Sequence, residues 1–348
     1  MEIFMPLRAT LDNEPIQSFN LDFDEWASLK ETYKDKSLLM PCCQRKAIPK
    51  TSKLGTQYFA HSKRGDCTSS PETQEHIYLK FLIAKVAQEH GWHVITEYAG
   101  NTPDGEEWIA DVFCKKGNAN LAFEVQWSHQ TNDEYLRRTQ KYTSSGVRCA
   151  WLFRLKGNKE YYRGDFIESY NLPYFGFRHK DGEYVVARYN TSVAEFVGGM
   201  FEGKLAWLPK QNEPLVVHVC YTPDKCWKCK KPINIVTSLD IHNKDNALIE
   251  SLSFTDKSVA HWIANYIPKQ ILWNNGIGTI MERYSKTVGG KYMSNGCVHC
   301  DALQGNFFVA TELGYGNNYL TYQWKYNPSE ISIEESWFFN GKIGKPFY

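Results

Sequence analysis

Two carboxylates, Asp111 and Glu124, interrupt stretches that otherwise read as apolar strands. Alternation along the first stretch puts Ile109, Asp111 and Phe113 on one face. Along the second it groups Ala122, Glu124 and Gln126, with Phe123, Val125 and Trp127 opposite. A carboxylate buried alone is costly, so acids on neighbouring strands call for a cation or for hydrogen-bond donors. Two that converge can hold one hard divalent ion, Mg2+ or Mn2+. Such an ion binds a non-bridging phosphate oxygen, lowers the pKa of a water and steadies a leaving oxygen, which is the chemistry of phosphodiester hydrolysis. Gln126, beside the second acid, would orient the water or answer the developing charge. Alternation is equally consistent with a wet strand face on which both acids pair with Arg or Lys.

Cysteine spacing points to a second kind of metal chemistry. The pairs Cys226-Trp-Lys-Cys229 and Cys297-Val-His-Cys300 offer four thiolates, the donor set of a closed tetrahedral Zn2+ site. The 67 residues between the pairs exceed the gap of a compact zinc ribbon, yet the metal only needs the two turns to meet. Lys228, Lys230 and Lys231 could steady the thiolates or touch phosphate. An earlier group, Cys42, Cys43, His61 and Cys67, has the right count for a Cys3His zinc finger. Adjacent Cys42 and Cys43 are awkward co-ligands, because successive side chains diverge, so a three-ligand site or a finger without metal stays open. Cys114, Cys149 and Cys220 stand singly among apolar neighbours and read as small buried hydrophobes. His76, His129 and His299 read as structural or surface residues with at most a secondary part.

The elements that must position these groups follow from local pattern. A helix is expected after Ser69 as cap and Pro71 in the first turn, with Glu72 three residues beyond the cap and Gly91 as its stop. On it Glu75 shares a face with Tyr78, Leu79, Leu82 and Val86, at the end of a core-facing stripe. Its other reading is a first-turn acid favoured by the helix dipole. Strands are expected over His93–Tyr98, Trp108–Cys114 and Leu121–Trp127, with turns at Gly100–Gly105 and Gly117–Asn120. Four regions result: 1–70 with the first cysteine group, 71–156 as an α/β layer, 157–215 as an extension with a Ser192/Glu195 capping box, and 216–348 with the second group. No apolar run reaches a membrane span and the first ten residues lack a secretory pattern, so a cytoplasmic place is expected. With a net charge of +1, nucleic acid must be met by local patches. Lys46, Lys50, Lys53, Lys63 and Arg64 form one around the first cysteine group; Arg137, Arg138 and Lys141 form another on the helix after the third strand. A merely solvated face is the alternative for each.

The run from Cys42 to Leu155 resembles the CoiA-like competence proteins of the PD-(D/E)xK nuclease superfamily. The resemblance is carried by Tyr58-Phe-Ala-His61, Pro71-Glu-Thr-Gln-Glu75-His76, Ile109-Ala-Asp111-Val112, Phe123-Glu124-Val-Gln126, then Arg138, Tyr142 and Gly146-Val147. It implies a restriction-endonuclease-like core, a mixed sheet flanked by helices, with an N-terminal zinc-finger module and a C-terminal zinc-ribbon-like domain. It further implies Asp111 and Glu124 as metal ligands, Glu75 as an accessory acid from the helix, and DNA as substrate. Two departures stand out. Related sequences often open the first finger with Cys-Pro-x-Cys, where Met40 stands here. The superfamily's closing Lys is Gln126, which can bond a water but carries no charge. Arg137, Arg138 or Lys141 would then supply charge. The same departure supports a second expectation, a nuclease-like module that binds DNA without cutting it. A third is an interaction protein organised by the C-terminal zinc domain, acting as a homo-oligomer or within a protein complex. Handling of incoming or recombining DNA and defence against foreign DNA are both consistent with this resemblance.

Overall fold

The computed structural model describes residues 6–62, 72–128, 130–156, 169–306 and 318–342. Lys63, Arg64, Cys67, Ser69, Pro71 and His129 lie outside them. Two compact units are present, one built on Met1–Ala206 and the other on Trp207–Ile343.

The first unit opens with a small module. Strands β1 (Arg8–Leu11), β2 (Glu14–Gln17) and β3 (Leu38–Leu39) form a sheet in the order β2-β1-β3, with α1 (Phe23–Thr32) between β2 and β3. Asp22 and Glu25 close a reciprocal capping box at the start of α1. The hairpin of β4 (Ala47–Thr51) and β5 (Gln57–His61) brings Phe59 onto Trp26, and both join Leu29, Leu38 and Met40 in one buried cluster. Gln17 reaches out of this module to accept hydrogen bonds from Thr96, tying it to the main sheet.

That sheet has seven strands. After α2 (Gln74–Glu89) come β6 (His93–Asn101), β7 (Glu107–Lys116), β8 (Ala119–Gln126), α3 (Asn132–Ser144), β9 (Arg148–Arg154), β10 (Tyr174–Lys180), β11 (Glu183–Val186), β12 (Thr191–Ser192) and α4 (Val193–Phe201). Their spatial order is β12-β11-β10-β9-β8-β7-β6. The β6-β7-β8 meander is antiparallel; β8, β9 and β10 run parallel, with α3 crossing over from β8 to β9. The fold is therefore mixed α/β, as the alternation of patterns suggests. Phe123 turns toward Phe201 of α4, whereas Ala122, on the alternate face, joins Tyr135 and Tyr142 of α3 in a common cluster. The region after residue 156 contributes three strands and α4 to this layer, where a short helix alone was expected. Ser192 caps α4 by accepting from the Glu195 amide; the Glu195 side chain bonds Thr191.

The second unit has a four-stranded antiparallel sheet, ordered Leu248–Ser253, Pro232–His242, Pro214–Lys225, Asn318–Lys325. Val217, Val219, Ile235 and Leu239 pack with Trp262 and Ile263 of the helix Lys257–Tyr266. A separate hairpin, Met281–Ser285 with Gly290–Gly296, is held to the sheet by Asn295, whose amide accepts from Val236 N and donates to Val236 O. No helix among the described residues is long and apolar enough to cross a membrane.

β6 continues to Asn101, beyond the turn expected at Gly100, because Gly100 pairs across the strands with Trp108 and leaves room for its indole. A Cβ on Gly100 would stand 2.2 Å from the Trp108 ring. Trp108 in turn packs on Tyr142 at 4.9 Å and donates to Ser145 Oγ. Gly100→Ala is expected to destabilise the first unit by about 1–3 kcal/mol through this overpacking, measurable by denaturant unfolding.

Candidate functional site

Strand register sets three acids in one row. Pairs Thr96↔Val112 and Tyr98↔Ala110 place Glu97 opposite Asp111. The β7–β8 ladder ends at Val112↔Phe123, so the next positions are Asp111 and Glu124. There the two strands part, and Asp111 Oδ2 accepts the Val125 amide at 2.8 Å. Glu97 adopts a left-handed backbone, φ 48°, inside a strand, a conformation that costs a non-glycine residue energy and concentrates at functional positions. Alternation slips by one around Asp111. Trp108, Ala110 and Phe113 share one buried cluster, while Ile109 is 62% exposed. Ile109 and Asp111 keep the expected common side, both lining one cavity, whereas Phe113 leaves it; the strands part at Asp111, between them.

α2 supplies the counter-charge. Thr73 caps it by accepting from the His76 amide, so the helix proper begins at Gln74, later than Ser69 and Pro71 suggest. His76 and Lys80, four residues apart, stack on one side of it, and Glu72, just before the cap, lies against both. The buried Lys80 Nζ lies 2.9 Å from Glu72 Oε1, 2.5 Å from Glu97 Oε1 and 3.6 Å from Asp111 Oδ1. Burial would lower the Lys80 pKa, but the charges of Glu72, Glu97 and Asp111 reverse that and hold it well above the usual lysine value. His76 sits between two acids, Nδ1 3.6 Å from Glu72 and Nε2 3.6 Å from Asp111. Burial acts to lower its pKa, yet the Asp111 bond and the charges of Asp111 and Glu72 raise it. Against the penalty of burial, Lys80 and His76 keep the Asp111 carboxyl well below the ordinary range.

Glu124 has a different set of neighbours. Tyr142 of α3 donates to its Oε1, and Arg138 Nη2 donates to its Oε2 at 2.6 Å. Arg138 also lies over the Trp151 ring and bonds Gln126 Oε1 at 3.3 Å, while the Gln126 amide donates to Ser128 O. Burial first, and then the Asp111 charge, pushes the Glu124 pKa up to about 7, with Arg138 and Tyr142 opposing. Glu72, His76, Lys80, Glu97, Asp111, Glu124, Gln126 and Arg138 all line one cavity of about 810 Å3, together with Arg8 and the turn residues Pro41 and Cys42.

Glu75 does not line this cavity. One residue before His76, it sits about 100° round the helix from it, and its charge acts on Tyr184 of β11, after burial, to raise that hydroxyl's pKa. The acid that this segment brings to the cavity is Glu72, just before the Thr73 cap. Of the three basic residues expected on α3, Arg138 reaches the acids; Arg137 pairs with Glu134 and Lys141 with Glu106. Lys46 and Lys53 are exposed and Lys50 is half-buried.

The cysteine groups assemble as pairs and turns. Cys226, Cys229, Cys297 and Cys300 offer sulfurs all within 4.8 Å of one another, with Cys226–Cys300 at 3.8 Å and Cys229–Cys297 at 3.7 Å. A tetrahedron with Zn–S of about 2.3 Å has sulfur–sulfur edges of about 3.8 Å, so the donor set fits zinc. Both knuckles close the same way. The Cys226 amide donates to Lys231 O and that of Lys230 to Cys226 O; the Cys297 amide donates to Ala302 O and that of Asp301 to Cys297 O. Lys230 and Asp301 are both left-handed, φ 63° and 54°. Burial acts to raise the Cys226 pKa, but the amides of Cys229 and Lys228 bring it down to about 6, toward the thiolate a metal needs. Cys42, Cys43 and His61 also present donors within 4.8 Å of one another. Adjacent cysteines can do so because Met40 O accepts from both Cys43 N and Gln44 N, making a turn rather than a strand. Cys67 lies outside the described residues.

A mixed sheet that parts beside a row of acids, covered by helices carrying their counter-charges, makes this a mixed α/β domain with its charged groups gathered in one cavity. Residues 72–196 match the family model described as Competence protein CoiA, nuclease-like domain, which supports the resemblance read from the residues. No curated protein matches the chain.

Two tests follow from this geometry. Lys80→Met leaves Glu72, Glu97 and Asp111 without their buried cation and should cost about 3–5 kcal/mol of stability. Pairing it with Glu97→Gln should restore part of the loss in a double-mutant cycle read by thermal unfolding. Cys229→Ser is expected to remove one zinc per molecule by elemental analysis and to lower the melting temperature of the second unit.

Proposed function

We propose that the first unit is a divalent-metal-dependent nuclease acting on DNA, with Asp111 and Glu124 as metal ligands. The observation that carries this reading is the row of carboxylates along one cavity, Glu124 buried and Glu97 and Asp111 half-buried, bracketed by Lys80 and Arg138. The donor set suits a hard ion: Glu124 accepts one bond on each oxygen, and an ionised carboxylate keeps further lone pairs. When bound, the ion would polarise a phosphate and lower the pKa of a water. The protein's own groups do the rest. Tyr142 and Arg138 fix the Glu124 carboxylate, and the Val125 amide fixes Asp111. Arg138 and Lys80 supply the positive charge that Gln126 lacks. Arg8 lines the cavity with no ion pair among the described residues, which suits a phosphate contact.

Zinc at the C-terminal cysteines would hold the second unit together, and zinc at Cys42, Cys43 and His61, with Cys67, would brace the N-terminal module. The basic residues Lys46, Lys50, Lys53, Lys63 and Arg64 would extend phosphate contacts from that module. A cytoplasmic, reducing setting would keep these thiols available for metal. The match to a competence-protein domain is consistent with work on incoming or recombining DNA, and defence against foreign DNA fits the same chemistry.

A second reading, binding without cleavage, draws support from Gln126, whose amide is engaged by Arg138 and Ser128 at its two ends. One experiment separates the two. Purified protein with Mg2+ or Mn2+ is expected to nick or degrade labelled DNA, and Asp111→Ala or Glu124→Ala should reduce cleavage by at least about a hundredfold with zinc content unchanged. Salt-sensitive binding with no turnover under any divalent ion would favour the second reading.

A further inference from the structure

We infer that the first cysteine knuckle of the second unit is a docking face for single-stranded DNA, with an unpaired base on Trp227 and phosphates on the lysines around it. The inference rests on the DNA part of the reading above and not on cleavage. Its residues lie outside the matched segment 72–196 and do not line the acidic cavity. Trp227, between Cys226 and Cys229, is 61% exposed, although an indole is among the largest apolar surfaces a chain can bury. The ring is fixed all the same: Trp227 Nε1 donates to Leu303 O, just beyond the second knuckle, at 2.6 Å. That bond uses the edge of the indole and leaves the face for a partner. A ring held in advance costs little to order when a base stacks on it, and every base has a π-face.

Charge defines the partner. Lys225, Lys228, Lys230 and Lys231 are all exposed along one short turn, and none is in an ion pair among the described residues. The thiolates are served from elsewhere: the amides of Cys229 and Lys228 and the Gln304 side chain donate to Cys226, and the His299 amide donates to Cys297. The neighbouring acids are engaged, Asp224 with the Lys225 amide and Asp301 with Arg283. Four ammonium groups around an exposed indole match a polyanion that carries unpaired bases. A duplex offers the same phosphates but keeps its bases stacked inside, and an acidic peptide offers charge without bases.

The test is fluorescence anisotropy of the full-length zinc-loaded protein on a labelled oligothymidylate, with no Mg2+ or Mn2+ added so that no cleavage intervenes. Trp227→Ala is expected to weaken binding about tenfold or more, whereas Trp227→Phe, which keeps a ring, stays closer to the parent. Replacing Lys225, Lys228, Lys230 and Lys231 together by Ala should lower the slope of log affinity against log salt by about 0.7 for each lysine. An abasic strand of equal length should bind the parent about tenfold more weakly than oligothymidylate, a comparison that no folding defect can mimic. Equal parent affinity for the two strands removes the stacking and overturns the inference. Parent-like binding in both Trp227→Ala and the lysine variant overturns it too, and leaves metal-dependent cleavage, with its own test at Asp111 and Glu124, intact. Losses in Trp227→Ala that are larger for a duplex, for oligouridylate or for polyglutamate than for oligothymidylate would give the face to another partner and overturn it as well.

Discussion

The ammonium of Lys80, buried among Glu72, Glu97 and Asp111, is the interaction on which the first unit depends. Like charges opposite one another across strands destabilise a sheet, and the β6–β7 register sets Glu97 against Asp111. Without a cation between them the meander could not keep both acids ionised in a buried place. Because that cation arrives on α2, helix and sheet are bound by electrostatics as well as by the apolar residues Ile77, Leu79, Ile83 and Ala84. Arg138 plays the matching part from α3, so each helix answers a different member of the acidic row.

In the second unit the four cysteines stand at the edge of a continuous apolar core. In the second unit two hairpins far apart in sequence meet at four cysteines, and Asn295 fixes their relative register through both groups of its amide. The two knuckles share one pattern of backbone bonds and one left-handed residue after the second cysteine. Those local turns carry the geometry across the 67 residues between the pairs.

Much of the site was legible in the residues, for definite reasons. Asp111 and Glu124 interrupt apolar strands, and the CxxC spacing of the late cysteines has few other readings; the match over 72–196 agrees with the family resemblance drawn from these motifs. Glu97 was not legible, since an acid in a half-exposed strand looks ordinary until its left-handed backbone and its partner are seen. Lys80 looked like any helix lysine. Glu72 was hidden behind Glu75 because it stands just before the Thr73 cap, where helical spacing no longer says which way a side chain points. The slip in β7 around Asp111 could not be read from alternation, which assumes an unbroken pleat. Strand β10 was missed because its partner β9 lies across a long connection, and β11 and β12, which pair with it and with each other through short turns, were missed with it.

Cys42 belongs at once to the early cysteine–histidine group and to the wall of the acidic cavity. The turn that gathers the early cysteines is therefore also one side of the cavity, so chemistry at the Cys42 thiol is at the same time chemistry at the cavity wall.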